Sequence, residues 1–140
     1  MSSPINIPES FSLAVHALAR LAADDSKPVK LQDLLIKPGS TDHLSKVMQK
    51  LVKAGMVKSR RGRGGGFALA VNPADIRLMD VWIVLEGTFE NSICPYAGNG
   101  CSLPVCLFGS LGQEASEMVR DYLTETTVKD LGGGLTSRFS

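Results

Sequence analysis

The chain has 140 residues, 44% of them hydrophobic, and a formal net charge of +1 at pH 7. That length holds one sizeable core with one attached element and excludes two large independent domains. No apolar run approaches the roughly 20 residues that span a bilayer, and the opening MSSPINIPES lacks the basic patch and apolar stretch of a secretion signal, so the expectation is a cytoplasmic protein with no membrane partner.

In chain order, Phe11, Ala14, Val15, Leu18, Leu21 and Ala22 fall on one helical face, which predicts a first helix over 9–23. DDSKP breaks the pattern, and VKLQDLLIK reads as a short second helix ended by Pro38 and Gly39. A third, strongly amphipathic helix follows. Ser40 or Thr41 can cap it, and Leu44, Val47, Met48, Leu51 and Val52 form its buried stripe. Asp42, Ser45, Lys46, Gln49, Lys50 and Lys53 occupy the opposite face. A short helix, a tight turn and a helix with a basic outer face is a helix-turn-helix, whose second helix enters the major groove.

MVKSRRGRGGGFALAV then places two β-prone runs around a glycine-rich connection bearing Arg60, Arg61 and Arg63, the pattern of a wing able to reach phosphates or the minor groove. GRGGGF lacks the Lys-Ser/Thr of a phosphate-binding loop and does not follow a strand into a helix, so the glycines read as turn chemistry. Charge supports the DNA-binding reading. Between Lys27 and Arg63 stand ten basic residues (27, 30, 37, 46, 50, 53, 58, 60, 61 and 63) against Asp33 and Asp42, a balance of +8, while the remainder is acidic. Such a cluster neutralises phosphates and releases their counterions.

A packed helix is expected from about Leu78, with Trp82 in the core. Phe108, Leu111, Ala115, Met118 and Tyr122 recur at steps of three and four, with Val119 and Leu123 beside them, which predicts a long terminal helix suited to pairing with its copy in a homodimer. The division is therefore a winged helix-turn-helix over 1–73, a cysteine loop and dimerisation helix over 74–131, and a flexible tail over 132–140. The fold class is mostly α with a small β-hairpin. No nucleophile and base stand at a recognisable spacing, which argues against an enzyme.

All three cysteines, Cys94, Cys101 and Cys106, lie in ICPYAGNGCSLPVC. In a reducing compartment clustered thiols bind metal or do redox chemistry more often than they form disulfides. C-x6-C-x4-C on a Gly/Pro/Asn-rich arc suits an iron–sulfur cluster of two or four irons, or zinc. Three ligands are one short of four. The fourth comes from elsewhere in the fold, a partner chain, water or a small molecule, and a cluster with one weaker ligand is labile, as a sensor requires.

HLSKVMQKLVKAGMVKSRRGRGGGFALA, followed by a helix, a three-cysteine loop and a long helix, resembles the Rrf2 family of bacterial winged-helix transcription regulators, which includes IscR-like and NsrR-like members. The resemblance runs from about Phe11 to Leu131. It implies a homodimer on palindromic double-stranded operator DNA, with a recognition helix, a wing and an iron–sulfur cluster near the dimer helix. Carried over by position, Ser40, Asp42, His43, Ser45 and Lys46 lie at the start of the recognition helix, Arg61 is the wing arginine, and Cys94, Cys101 and Cys106 are the cluster ligands. Gly109 stands where IscR-like members carry a histidine ligand, and Ser12 where NsrR-like members carry an aspartate, leaving Glu9 and His16, one turn to either side, as weaker candidates for the fourth ligand. The function expected is a repressor or other DNA-binding regulator sensing redox state, nitric oxide or iron–sulfur status, with Ser40, His43, Ser45, Lys46, Gln49, Lys50, Arg60, Arg61 and Arg63 on DNA. The alternatives are a winged-helix regulator using bare thiols or zinc, and a small iron–sulfur protein that does not bind DNA.

Overall fold

The computed structural model describes residues 3–90 and 94–132. Helix α1 spans Glu9–Ala23, with Pro8 at its N-cap, and buries Phe11, Leu13, Ala14, Ala17, Leu18, Ala19 and Leu21. Helix α3, Thr41–Lys53, lays Leu44, Val47, Met48 and Leu51 against that face. The Ser40 hydroxyl accepts the His43 N–H at 3.1 Å, satisfying one of the orphan donors of the first turn.

Between them α2 is only the single turn Leu31–Leu34, shorter than the nine-residue stretch that suggested it. The physical reason lies upstream. Val29 is extended and exchanges two backbone hydrogen bonds with Phe67, both 2.8 Å, so it serves as a third rung beside the hairpin. Downstream, Leu35 is already extended and a turn closes from Ile36 to Gly39.

The hairpin pairs β1, Val57–Arg60, with β2, Gly66–Leu69, antiparallel in the register Val57↔Leu69 to Arg60↔Gly66. Arg60 is thus a strand residue, and Arg61 and Arg63 stand in the loop. A single 3-10 turn, Pro73–Asp75, leads to α4, Leu78–Glu86. Here Asp80 accepts the Arg77 N–H at 3.0 Å, and Leu78 and Val81 enter the core.

Helix α5, Leu111–Glu125, starts later than the apolar spacing suggests. Gly109, at φ +58°, and the turn bonds from Gly109 to Cys106 and Leu111 to Phe108 leave Phe108 outside the helix. Its far end is tied to the start of α4. The Leu78 N–H meets the Thr126 carbonyl at 3.0 Å, the Val128 N–H meets the Ile76 carbonyl at 2.9 Å, and Leu123 and Val128 are buried. Asp130 accepts the Thr127 N–H at 2.9 Å, which holds its carboxyl below the ordinary value. The tail expected over 132–140 lies, after its first residue, outside the described residues.

Two substitutions test these local arguments. Gly66 has φ +148°, and a Cβ there would meet the Val29 carbonyl oxygen at 2.5 Å; G66A should cost about 1–3 kcal/mol, read as a lower urea midpoint by circular dichroism. Ser40→Ala removes the α3 cap and should cost about 1 kcal/mol; an unchanged midpoint would show that the cap contributes nothing net.

Candidate nucleic-acid interface and thiol loop

Burial of the apolar stripe of α3 leaves Asp42, Lys46, Gln49, Lys50 and Lys53 exposed and Ser45 half-buried on the outer side. Continuing from that face, Lys58, Arg60, Arg61 and Arg63 are all exposed on the hairpin. Helix and hairpin pack against one another, so the basic residues of both belong to one unit. The arrangement matches what phosphate binding needs, a line of mobile-tipped cations over a rigid base.

His43 is not simply an outward-facing contact. Its Nδ1 lies 3.7 Å from Oε1 of Glu9, in the first turn of α1, and the pair is ionic only when the imidazole is protonated. This link was not legible in the sequence, because 33 residues lie between the partners and no periodicity relates them. It also gives Glu9 an engagement at the foot of the recognition helix. His16, by contrast, is exposed, and its Nδ1 lies 2.7 Å from the Ser12 carbonyl oxygen. Nδ1–H donates there, since a carbonyl can only accept, which leaves Nε2 with a lone pair directed elsewhere. Of the two candidates for a fourth ligand, His16 therefore has the electronic arrangement of a metal-binding imidazole.

Cys101 and Cys106 are exposed, Cys94 is partly buried, and none is in a disulfide. They sit in a run of turns in which Gly98 and Gly100 take φ of +74° and +79°. Three thiols in an exposed loop are a donor set that fits an iron–sulfur cluster or zinc. Among the described residues, however, no three His, Cys, Asp or Glu converge as a metal site within one chain. The loop thus supplies the right atoms, and ligation needs it to draw together. Tyr96, Leu103, Val105 and Leu107 around the thiols are exposed as well.

Of the apolar residues expected to form a seam on α5, Ala115 and Val119 are half-buried and Leu123 enters the core, which leaves a shorter exposed line. Leu111, Met118 and Tyr122 are 55%, 75% and 58% exposed in the single chain. No described helix is long and apolar enough to cross a membrane.

Comparison with known proteins bears on both surfaces. The family model Rrf2, described as an iron-dependent transcriptional regulator, matches residues 7–133. HTH-type transcriptional regulator IscR of Vibrio vulnificus is 31% identical over 120 residues, covering 84% of this chain and 71% of that protein. Putative HTH-type transcriptional regulator BadM of Rhodopseudomonas palustris is 35% identical over 86 residues, 61% of this chain and just 55% of that longer protein. Among solved structures, CymR, the global cysteine regulator of B. subtilis, superposes with a TM-score of 0.73 at 24% identity, over 93% of this chain and 98% of that one, which shows the shared winged-helix fold. With a family match across nearly its whole length, and a relative above 30% identity, the chain belongs to the Rrf2 family of DNA-binding transcriptional regulators, which are not enzymes.

Proposed function

We propose that the chain acts as a homodimer whose two α3 helices read successive major grooves of a palindromic operator, and that Cys94, Cys101 and Cys106 hold an iron–sulfur cluster through which redox state, nitric oxide or iron–sulfur status is sensed. The observation that carries this reading is the pairing of a segregated basic face with three thiols outside any disulfide, two of them exposed, on a loop that leads directly into α5.

Each part has a physical role. Lys46, Gln49 and Lys50 present to the groove, with Ser40, His43 and Ser45 at the helix start where backbone N–H groups and the helix dipole favour phosphate. Arg60, Arg61 and Arg63 fasten the wing. The exposed line of Leu111, Met118 and Tyr122 on α5 is apolar surface that a second copy would remove from water. When bound, a cluster supplies a link that oxidants and nitric oxide can break. The chain's own contribution is the short arc of thiolates, closed by a fourth donor for which His16 is the better candidate. Because the loop precedes α5, tightening or loosening it biases how the dimer presents its two recognition helices, so ligation and DNA binding act on one equilibrium.

A second reading leaves the same three cysteines as bare thiols, which the dispersed positions of the donors among the described residues support, or has them draw together on zinc as they would on a cluster. Oxygen-free purification separates the two. A cluster absorbs in the visible and yields iron and sulfide on analysis, zinc protein is colourless, and metal-free protein that binds DNA identically after all three thiols are replaced would eliminate the sensor.

Arg61→Ala should weaken binding to the protein's own promoter DNA and make the dependence of log K on log salt shallower by about one unit; unchanged affinity across a salt titration removes Arg61 from the interface. Cys101→Ala should abolish the visible absorbance of oxygen-free protein. Persistence of colour would mean that Cys101 is not a ligand.

A further inference from the structure

His43 stands on the border between the two faces of α3. At about 100° per residue it lies within roughly 60° of the exposed Lys46 and Lys50 on one side and roughly 40° from the buried Val47 on the other. Its side chain is 36% exposed, so the ring is partly covered and partly open to solvent. Its Nδ1 edge lies against α1, 3.7 Å from Oε1 of Glu9.

We infer that Glu9 is a positioning residue for DNA recognition: it holds His43 by the Nδ1 edge and leaves Nε2, on the far edge of the ring, as the nitrogen that meets the duplex. The inference rests on α3 being the helix that reads DNA. It adds a residue of α1 to that surface, one that acts through another and need not touch DNA.

Three observations support the role. The first is proton placement. A lone pair on Nδ1 would face a carboxylate, so the ring keeps a proton there and Nε2 is the nitrogen left for an outside partner. The second is that both partners are themselves held. Glu9 stands in the first turn of α1, where the helix dipole favours an acid, and the adjacent Ser10 hydroxyl donates to Oε1 of Glu86 at the end of α4. The backbone N–H of His43 is fixed by the Ser40 hydroxyl at 3.1 Å. A ring oriented in advance loses less freedom on binding DNA. The third is exposure. Glu9 is 65% exposed, and contacts this open to water add little to the fold. Removing the carboxylate should therefore change DNA binding and leave stability alone.

The sign of the effect separates positioning from proximity. A bare acid beside DNA repels phosphate, and removing it tightens binding. Removing an acid that orients a DNA-reading ring weakens it.

The chain has two histidines, so a long-range ¹H–¹⁵N spectrum of the full chain resolves both rings, with His43→Ala giving the assignment. At a fixed, mildly alkaline pH the wild type should carry the His43 proton on Nδ1, and Glu9→Ala should move it toward Nε2. Binding to the protein's own promoter DNA should weaken about fivefold in Glu9→Ala. Glu9→Gln, whose amide oxygen can still accept from Nδ1–H, should recover most of that loss. In a His43→Ala background Glu9→Ala should cost nothing further, and the thermal midpoint should hold throughout. Tighter binding in Glu9→Ala, an equal loss with and without His43, or an Nδ1 without a proton in the wild type would overturn the assignment. If Arg61→Ala weakens binding and Glu9→Ala does not, this inference alone falls; if neither Arg61→Ala nor His43→Ala weakens it, the DNA-reading face is misplaced and the inference falls with it.

Discussion

The structure depends on one contact, the ridge of α1 laid across the buried stripe of α3. Ala14, Ala17, Leu18 and Leu21 meet Leu44, Val47, Met48 and Leu51 in one close-packed core. Small residues on α1 let the helices approach, and every apolar side chain that α3 buries there turns a polar or basic one toward solvent. The basic outer face of α3 is a consequence of the core and is not an independent design. Displacing one stripe residue outward would rotate Lys46, Gln49 and Lys50 with it, because the helix is rigid and its two faces are geometrically locked.

The first turn of α1 is a junction as well as a cap. Glu9 reaches His43 at the foot of the recognition helix, and the neighbouring Ser10 reaches Glu86 at the end of α4. Adjacent residues therefore touch the DNA-reading element on one side and the α4–α5 region on the other. Exposed contacts of this kind add little to stability. Their value lies in position, since the hydrogen bond at Ser10 and the contact at Glu9, on adjacent residues, join the end of α4 to the start of α3. The clamp of Leu78 and Val128 onto the opposite chain segment makes α4 and the end of α5 move together.

The thiol loop stands apart from this scheme. Its described apolar residues, among them Tyr96, Leu103, Val105 and Leu107, are exposed and lie outside the shared core. A segment that carries none of the fold's burial energy can change its covalent or ligation state without unfolding the winged region. The loop leads into the start of α5, the element whose outer line is apolar and unpaired within the chain.

Sequence periodicity alone determined the helices α1, α3 and α4, the hairpin and the charge segregation, because each is a local consequence of which residues repeat at 3.6 or 2 and where glycines interrupt them. The boundaries of α1 and the cap at Ser40 were legible for the same reason. Tertiary structure decided what depends on partners distant in the chain. Val29 became a strand rung and shortened α2 because Phe67 was there to pair with it, and α5 began at Leu111 because Gly109 turned the backbone first. The link from Glu9 to His43 and the enclosed indole of Trp82 likewise have no sequence signal. Each is set by the distance between side chains on different elements, or by which acceptor happens to lie within reach, and neither quantity exists until the chain has folded.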